Sequence, residues 1–160
     1  MDESGYAEDL SERRIARSAE IANHTPLHNQ GRRLQVKVLY TTHAGTVAAL
    51  KVATRLAANL GDRPKVLMLY AVPYTLPLEK PGVPTGFLEE RIRALAEEAP
   101  MDVTAQVYLC REPRRSLREI LRPHSLIVIG GRKRWWPTRE HRWARMLRKD
   151  GHEVILVDCD

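Results

Sequence analysis

From Leu34 onward the chain alternates short apolar runs of β character with stretches of helical spacing, and this alternation constrains the fold more than any other feature. Val36-Lys37-Val38-Leu39-Tyr40 is a β-type run ending at Thr41-Thr42. Gly45 to Leu60 carries Val47, Leu50, Ala53, Ala57 and Leu60, the spacing of one helix face, and Gly61 stops it. Val66 to Val72 is almost continuously apolar, as a strand buried on both sides should be. Pro73 to Gly86 holds four prolines and two glycines and reads as a loop, longer than the connection requires; such loops are often functional or mobile. Helical spacing returns from Phe87 to Ala99 through Leu88, Ile92, Leu95 and Ala96. Val103 to Leu109 alternates like a strand, and Pro113 to Leu121 fits a short helix with proline in its first turn. Leu126-Ile127-Val128-Ile129-Gly130 is a second buried strand, Thr138 to Lys149 a basic helix, and Val154 to Val157 a last strand. Strict alternation predicts a parallel sheet covered by helices on both faces, an α/β fold of three layers, α/β/α.

Residues 1–33 differ from this body and read as an N-terminal helical extension and linker, with the domain proper at 34–160. Asp9-Leu10-Ser11-Glu12 resembles a helix start, and Arg13 to Ile21 continues it on a weak, alanine-rich stripe that needs a surface to lie on. Asn23-His24-Thr25-Pro26 ends it, and His28 to Arg33 reads as the linker. At 160 residues one domain with a tail is expected, long enough to bury a core without staples. Two distant cysteines, Cys110 and Cys159, argue against a disulfide framework and offer no metal-ligand spacing.

The net charge of +6 is local. Between Arg111 and Lys149 thirteen Lys/Arg face Glu112, Glu119 and Glu140, a balance of +10 that leaves the rest of the chain at −4. Such a field attracts phosphate, nucleic acid, anionic lipid or an acidic protein face; a solvated basic surface is the plain alternative. No apolar run approaches the ~18 residues of a spanning helix, and the first thirty residues hold no signal-like apolar run. The expected location is cytoplasmic, or peripheral at the cytoplasmic face of a membrane.

Leu126-Ile127-Val128-Ile129-Gly130-Gly131, set in this alternation, resembles the universal stress protein family, and the likeness spans residues 34–158. Val38-Leu39-Tyr40-Thr41 precedes Thr46 and Ala49-Leu50 at the family's intervals, and Val154–Asp158 resembles its closing strand. The resemblance implies a five-stranded parallel sheet of order 3-2-1-4-5, and a homodimer formed through strand 154–158. In the ATP-binding branch of that family a glycine is followed by two residues, glycine, nine residues, glycine and then Ser or Thr. Here the matching positions are Gly130, Lys133 and Trp143-Ala144, so only the first glycine stands. Thr41 takes the place of the family's Asp at the end of the first strand, Arg111 that of a glycine after the third, and Ser125 that of another Asp. Glycines at such a turn let backbone N–H groups approach phosphate, so the ordinary ATP site is expected to be absent and no cofactor is expected. The remnant of a nucleotide pocket at the switch in strand order would be Thr41, Thr42, His43, Gly130, Gly131 and Lys133. The alternative is that Arg132, Lys133 and Arg134 grip the phosphates of ATP or AMP by side-chain charge.

Arg132-Lys133-Arg134-Trp135-Trp136-Pro137 is the most unusual stretch, and Trp143 follows it with Arg139, Arg142, Arg145 and Lys149 at helical spacing. Four readings compete: tryptophans that cap the core, a protein-binding surface, a membrane-surface contact, and a single-stranded nucleic acid site. The partner-binding set of the second reading is Arg132, Arg134, Trp135, Trp136, Arg139, Arg142, Trp143 and Arg145. No catalytic or metal set is found: His24 and His28 are split by Pro26, and His43 stands among hydroxyls with no carboxylate near it in the sequence. Arg111 beside Cys110 would favour its thiolate, but Cys110 is read as a structural cysteine. The reading adopted is a non-catalytic accessory or regulatory subunit docking on a protein partner or larger assembly, with a stress-response sensor binding ATP, AMP or another phosphate ligand as the alternative.

Overall fold

The computed structural model describes residues 16–17, 34–78, 80–99, 103–132 and 137–159. Its elements are β1 (Ala16–Arg17), β2 (Val36–Leu39), α1 (His43–Leu60), β3 (Lys65–Ala71), α2 (Thr85–Glu98), β4 (Thr104–Cys110), α3 (Pro113–Ile120), β5 (Leu126–Gly131), α4 (Arg139–Lys149) and β6 (Glu153–Asp158). They form one sheet of order β1-β4-β3-β2-β5-β6, in which β2 to β6 are mutually parallel. Counted from β2, those five strands run 3-2-1-4-5, the order the resemblance implied.

The period of two along each strand assigns its side chains to two cores. Val36, Val38 and Tyr40 of the first parallel strand and its continuation join Val66, Met68, Ala105, Val107 and Val128 beneath α1 and α2. Leu39, Leu67, Ile127, Ile129 and Val154 face the other way and pack against Leu117, Leu121, Trp143, Ala144 and Leu147 from α3 and α4. Burying each such Leu or Ile contributes about 1.5–3 kcal/mol, which is the reason the two apolar faces dictate three layers. Thr42 caps α1, its Oγ1 accepting from Gly45 N–H at 3.1 Å. Gly61 ends the helix at φ 64, where it donates to Ala58 O and Asp62 donates to Ala57 O; a left-handed residue closing a helix this way is usually glycine.

One expectation is corrected at the edge of the sheet. Ala16 and Arg17, read from the sequence as helix, form a two-residue strand antiparallel to β4, opposite Tyr108 and Val107. At these two positions the open edge of β4 offers backbone partners. The remaining residues of the extension and linker, 1–15 and 18–33, lie outside the described residues. Among the described residues no helix is long and apolar enough to cross a membrane.

Candidate functional site

Strand order reverses between β2 and β5, and the crevice beyond their C-terminal ends is where parallel α/β sheets bind ligands. Here the chain's own groups occupy that crevice. Thr41 donates its hydroxyl to Gly130 O at 2.6 Å, while its N–H donates to Thr46 Oγ1 at 3.2 Å. Thr46 donates in turn to Thr42 O at 2.6 Å. Three hydroxyls thus fasten the turn from β2 into α1 and lock it to the end of β5. A carboxylate at position 41 would set one acceptor against another at Gly130, which accounts for Thr in this chain.

The backbones of α1 and β5 touch at this point. A Cβ added to Gly130 would lie 1.7 Å from Gly45 O, and one added to Gly45 would lie 2.7 Å from Gly130 O. Packing alone therefore accounts for Gly130, the one glycine of the phosphate motif that stands. Gly131 lies under α4, where an added Cβ would meet Glu140 Cγ at 2.9 Å. Glu140 sits in the first turn of α4, where a carboxylate is favoured by the helix dipole. It brings negative charge to the same end that a phosphate would approach. Trp143, at the third glycine position of the motif, is 5% exposed. Among the described residues, Gly130 and Trp143 thus serve packing and do not form the glycine cradle of a triphosphate.

Trp143 also requires a correction to the docking set. Its indole packs in the core with Leu39, Leu117, Ile129 and Leu147, because the helical stripe Trp143, Ala144, Leu147 faces the sheet. The Arg139 guanidinium lies 4.7 Å above the ring and seals it from solvent. Arg132, Arg139, Arg142 and Arg145 are exposed. Lys133, Arg134, Trp135 and Trp136 lie outside the described residues.

His43 has a partner the sequence did not point to. Its Nε2 lies 2.8 Å from Glu98 Oε1, joining the first turn of α1 to the last turn of α2, and both side chains are substantially exposed. Thr41, Thr42 and Thr46 are all engaged in the turn. Arg111 points away from Cys110 and donates to Val72 O and Pro73 O, with its guanidinium 5.4 Å over Tyr74. Burial pushes the Cys110 thiol up, against a smaller lowering from a Ser116 hydrogen bond, as the structural reading of this cysteine expects. Ser125 donates its hydroxyl to Arg122 O at 2.6 Å, a turn role at the opposite end of the sheet from the crevice. Among the described residues no three of His, Cys, Asp and Glu converge on one point.

Glu98 and Glu140 escaped the sequence reading because each meets its partner only through tertiary packing. The one available signal was the position of Glu140 three residues before Trp143, one turn back on the same helix.

No protein-family model and no curated protein matches the sequence. Solved structures do. The fold is similar to that of a universal stress protein from Archaeoglobus fulgidus at a TM-score of 0.51 and 14% identity, covering 78% of this chain and 98% of that one. It is similar at a TM-score of 0.50, with the same identity and coverage, to the universal stress protein of that organism in complex with dAMP. At this level of identity the likeness establishes the fold: the chain is built as universal stress proteins are.

Proposed function

We propose that this chain is a non-catalytic accessory or regulatory subunit that uses a universal-stress-protein fold as a docking body. It recognises an acidic face of a protein partner, in the cytoplasm or on an assembly at a membrane's cytoplasmic side. The observation that carries the reading is the division of labour on α4. Glu140 and Trp143 turn inward, onto Gly131 and into the core. Arg139, Arg142 and Arg145 stay exposed on a helix whose first turn holds one acid and whose last turn adds Arg148 and Lys149. A helix that surrenders the ligand crevice and presents cations outward suits a charged protein surface. The edge position of β6 supports a homodimer through the same strand, 154–158.

Pull-down with the full chain at low and high salt tests the reading. Partners should be retained at low salt and lost at high salt, and lost at both from the variant Arg142→Glu/Arg145→Glu. Equal capture by wild type and variant would overturn it. The alternative, a sensor of ATP or AMP, is favoured by the dAMP bound to one structural neighbour and by the exposed His43 at the lip of the crevice. Calorimetric titration with Mg-ATP and AMP decides between them, because tight binding requires a crevice that opens.

A further inference from the structure

The end of the sheet where the strands begin, roughly 13 Å along β2 from the crevice at Thr41, carries a second concentration of charge. Lys37 lies in β2, the middle of the parallel sheet, between Val36 and Val38. In register it stands beside Lys65 of β3 and Ile127 of β5, and Ile127 stands beside Val154 of β6. The rung on the α3/α4 face therefore reads Lys65, Lys37, Ile127, Val154. The next rung on that face is Leu67, Leu39, Ile129, Leu156, entirely apolar. Lys37 is 7% exposed. Among the described residues neither Lys37 nor Lys65 makes a hydrogen bond or ion pair through its ammonium.

Further basic side chains converge on the same end. Arg122, just past α3, is close enough to act on both lysines by charge. His152 is fixed there by accepting Ser125 N–H on Nδ1 at 3.2 Å, and the charges of Lys37 and His124 reach it. Three acids of the described residues at this end are otherwise disposed. Asp150 is held by Arg118 at 2.7 Å, Asp62 accepts from Arg63 N–H, and Glu153 stands in register with Leu126, on the opposite face of the sheet. Like charges side by side on neighbouring strands destabilise a sheet, and a buried cation without a counter-charge destabilises it further. Leucine in place of Lys37 would continue the apolar face without either cost.

We propose that Lys37, Lys65 and Arg122 form a binding site for a phosphate group, edged by His124 and His152, at the N-terminal ends of β2 and β3. The ligand class is a small phosphate-bearing molecule. A phosphate dianion supplies the counter-charge that the described residues do not, with the arginine fork and two ammonium groups as donors. The site is separate from the crevice and from α4, and does not depend on the docking reading.

The test uses the full chain, with inorganic phosphate and pyrophosphate as probes against sodium chloride at matched ionic strength. Phosphate should raise the melting temperature of the wild type where chloride does not, and calorimetry should give saturable binding. Lys37→Met should melt higher than wild type without ligand yet lose the phosphate-dependent rise, with affinity down at least about tenfold. Arg122→Gln, an exposed change that leaves the fold intact, should weaken phosphate to a similar degree. Arg142→Glu/Arg145→Glu should bind phosphate as wild type does. Equal responses to phosphate and chloride, undiminished binding by Lys37→Met and Arg122→Gln, or loss of binding only in the α4 variant would each overturn the proposal.

Discussion

A methyl group on Gly130 would fall 1.7 Å from the carbonyl oxygen of Gly45, so α1 could not keep its place against β5. Backbone contacts of this kind cannot yield the way a side chain can. Gly130→Ala should cost about 3 kcal/mol or more. Gly131→Ala meets only the stem of Glu140, which has rotamers to move into, and should cost about 1 kcal/mol. Chemical denaturation of the two variants checks the order. Equal losses would mean that the contact between the two backbones is looser than drawn, and would restore Gly130 as a candidate phosphate contact. The same pair of residues marks what a sequence can and cannot disclose. That a glycine stands at 130 is visible in the string; that it is there for a helix and not for a ligand depends on Gly45, far away in the chain.

At the scale of the element, α4 separates two roles that adjacent residues share. Trp143→Ala removes a ring buried among Leu39, Leu117 and Leu147 and should cost about 3–5 kcal/mol. Arg142→Glu/Arg145→Glu alters exposed positions and should stay within about 0.5 kcal/mol per substitution. Thermal melts of both, set beside the pull-down, distinguish a packing residue from a docking residue. Should Trp143→Ala melt as wild type does, the ring belongs to the surface after all. Elements of this chain were legible wherever a period reached burial on its own. The runs at Val66 and Leu126 announced strands, and Leu50, Ala53, Ala57 announced the inner face of α1. Trp143 was legible only in part, since its spacing with Leu147 pointed inward while its arginine neighbours pointed outward. β1 was invisible, because a two-residue strand on an edge has no period and takes its partner from elsewhere. Lys37 was written in plain view within an apolar run, but its meaning depends on Lys65 being its register partner.

For the whole molecule, the response to pH follows from three basic groups whose charged forms the fold disfavours. His152 titrates below its ordinary 6.5, chiefly because burial disfavours its charged form, although Asp150 opposes this. The unfolded chain then binds a proton more readily than the folded one, so stability falls as pH falls through 6.5 and below. Protonation also removes Nδ1 as the acceptor of Ser125 N–H. Lys37 lies below its ordinary 10.5 through burial first and then the charges of Lys65 and Arg122; Lys65 lies below it through burial and Arg122. For these the same sign applies at higher pH: stability rises as pH climbs toward 10.5, where the unfolded lysines also lose their protons. Cys110 works in the opposite direction, since a raised thiol pKa costs stability once the unfolded thiol ionises near 9.0. A comparison cancels it, because Cys110 is common to wild type and Lys37→Met. The variant should be more stable near neutral pH by about 1–2 kcal/mol. That advantage should narrow as pH approaches 10.5, and at neutral pH it should narrow again when phosphate is added to both proteins, since the anion relieves in the wild type the cost the variant never had. Melting curves across pH, with and without phosphate, measure both effects. An advantage that is constant in pH would place the cost of Lys37 in its shape and not its charge, and would remove the physical basis for an anion site at that end of the sheet.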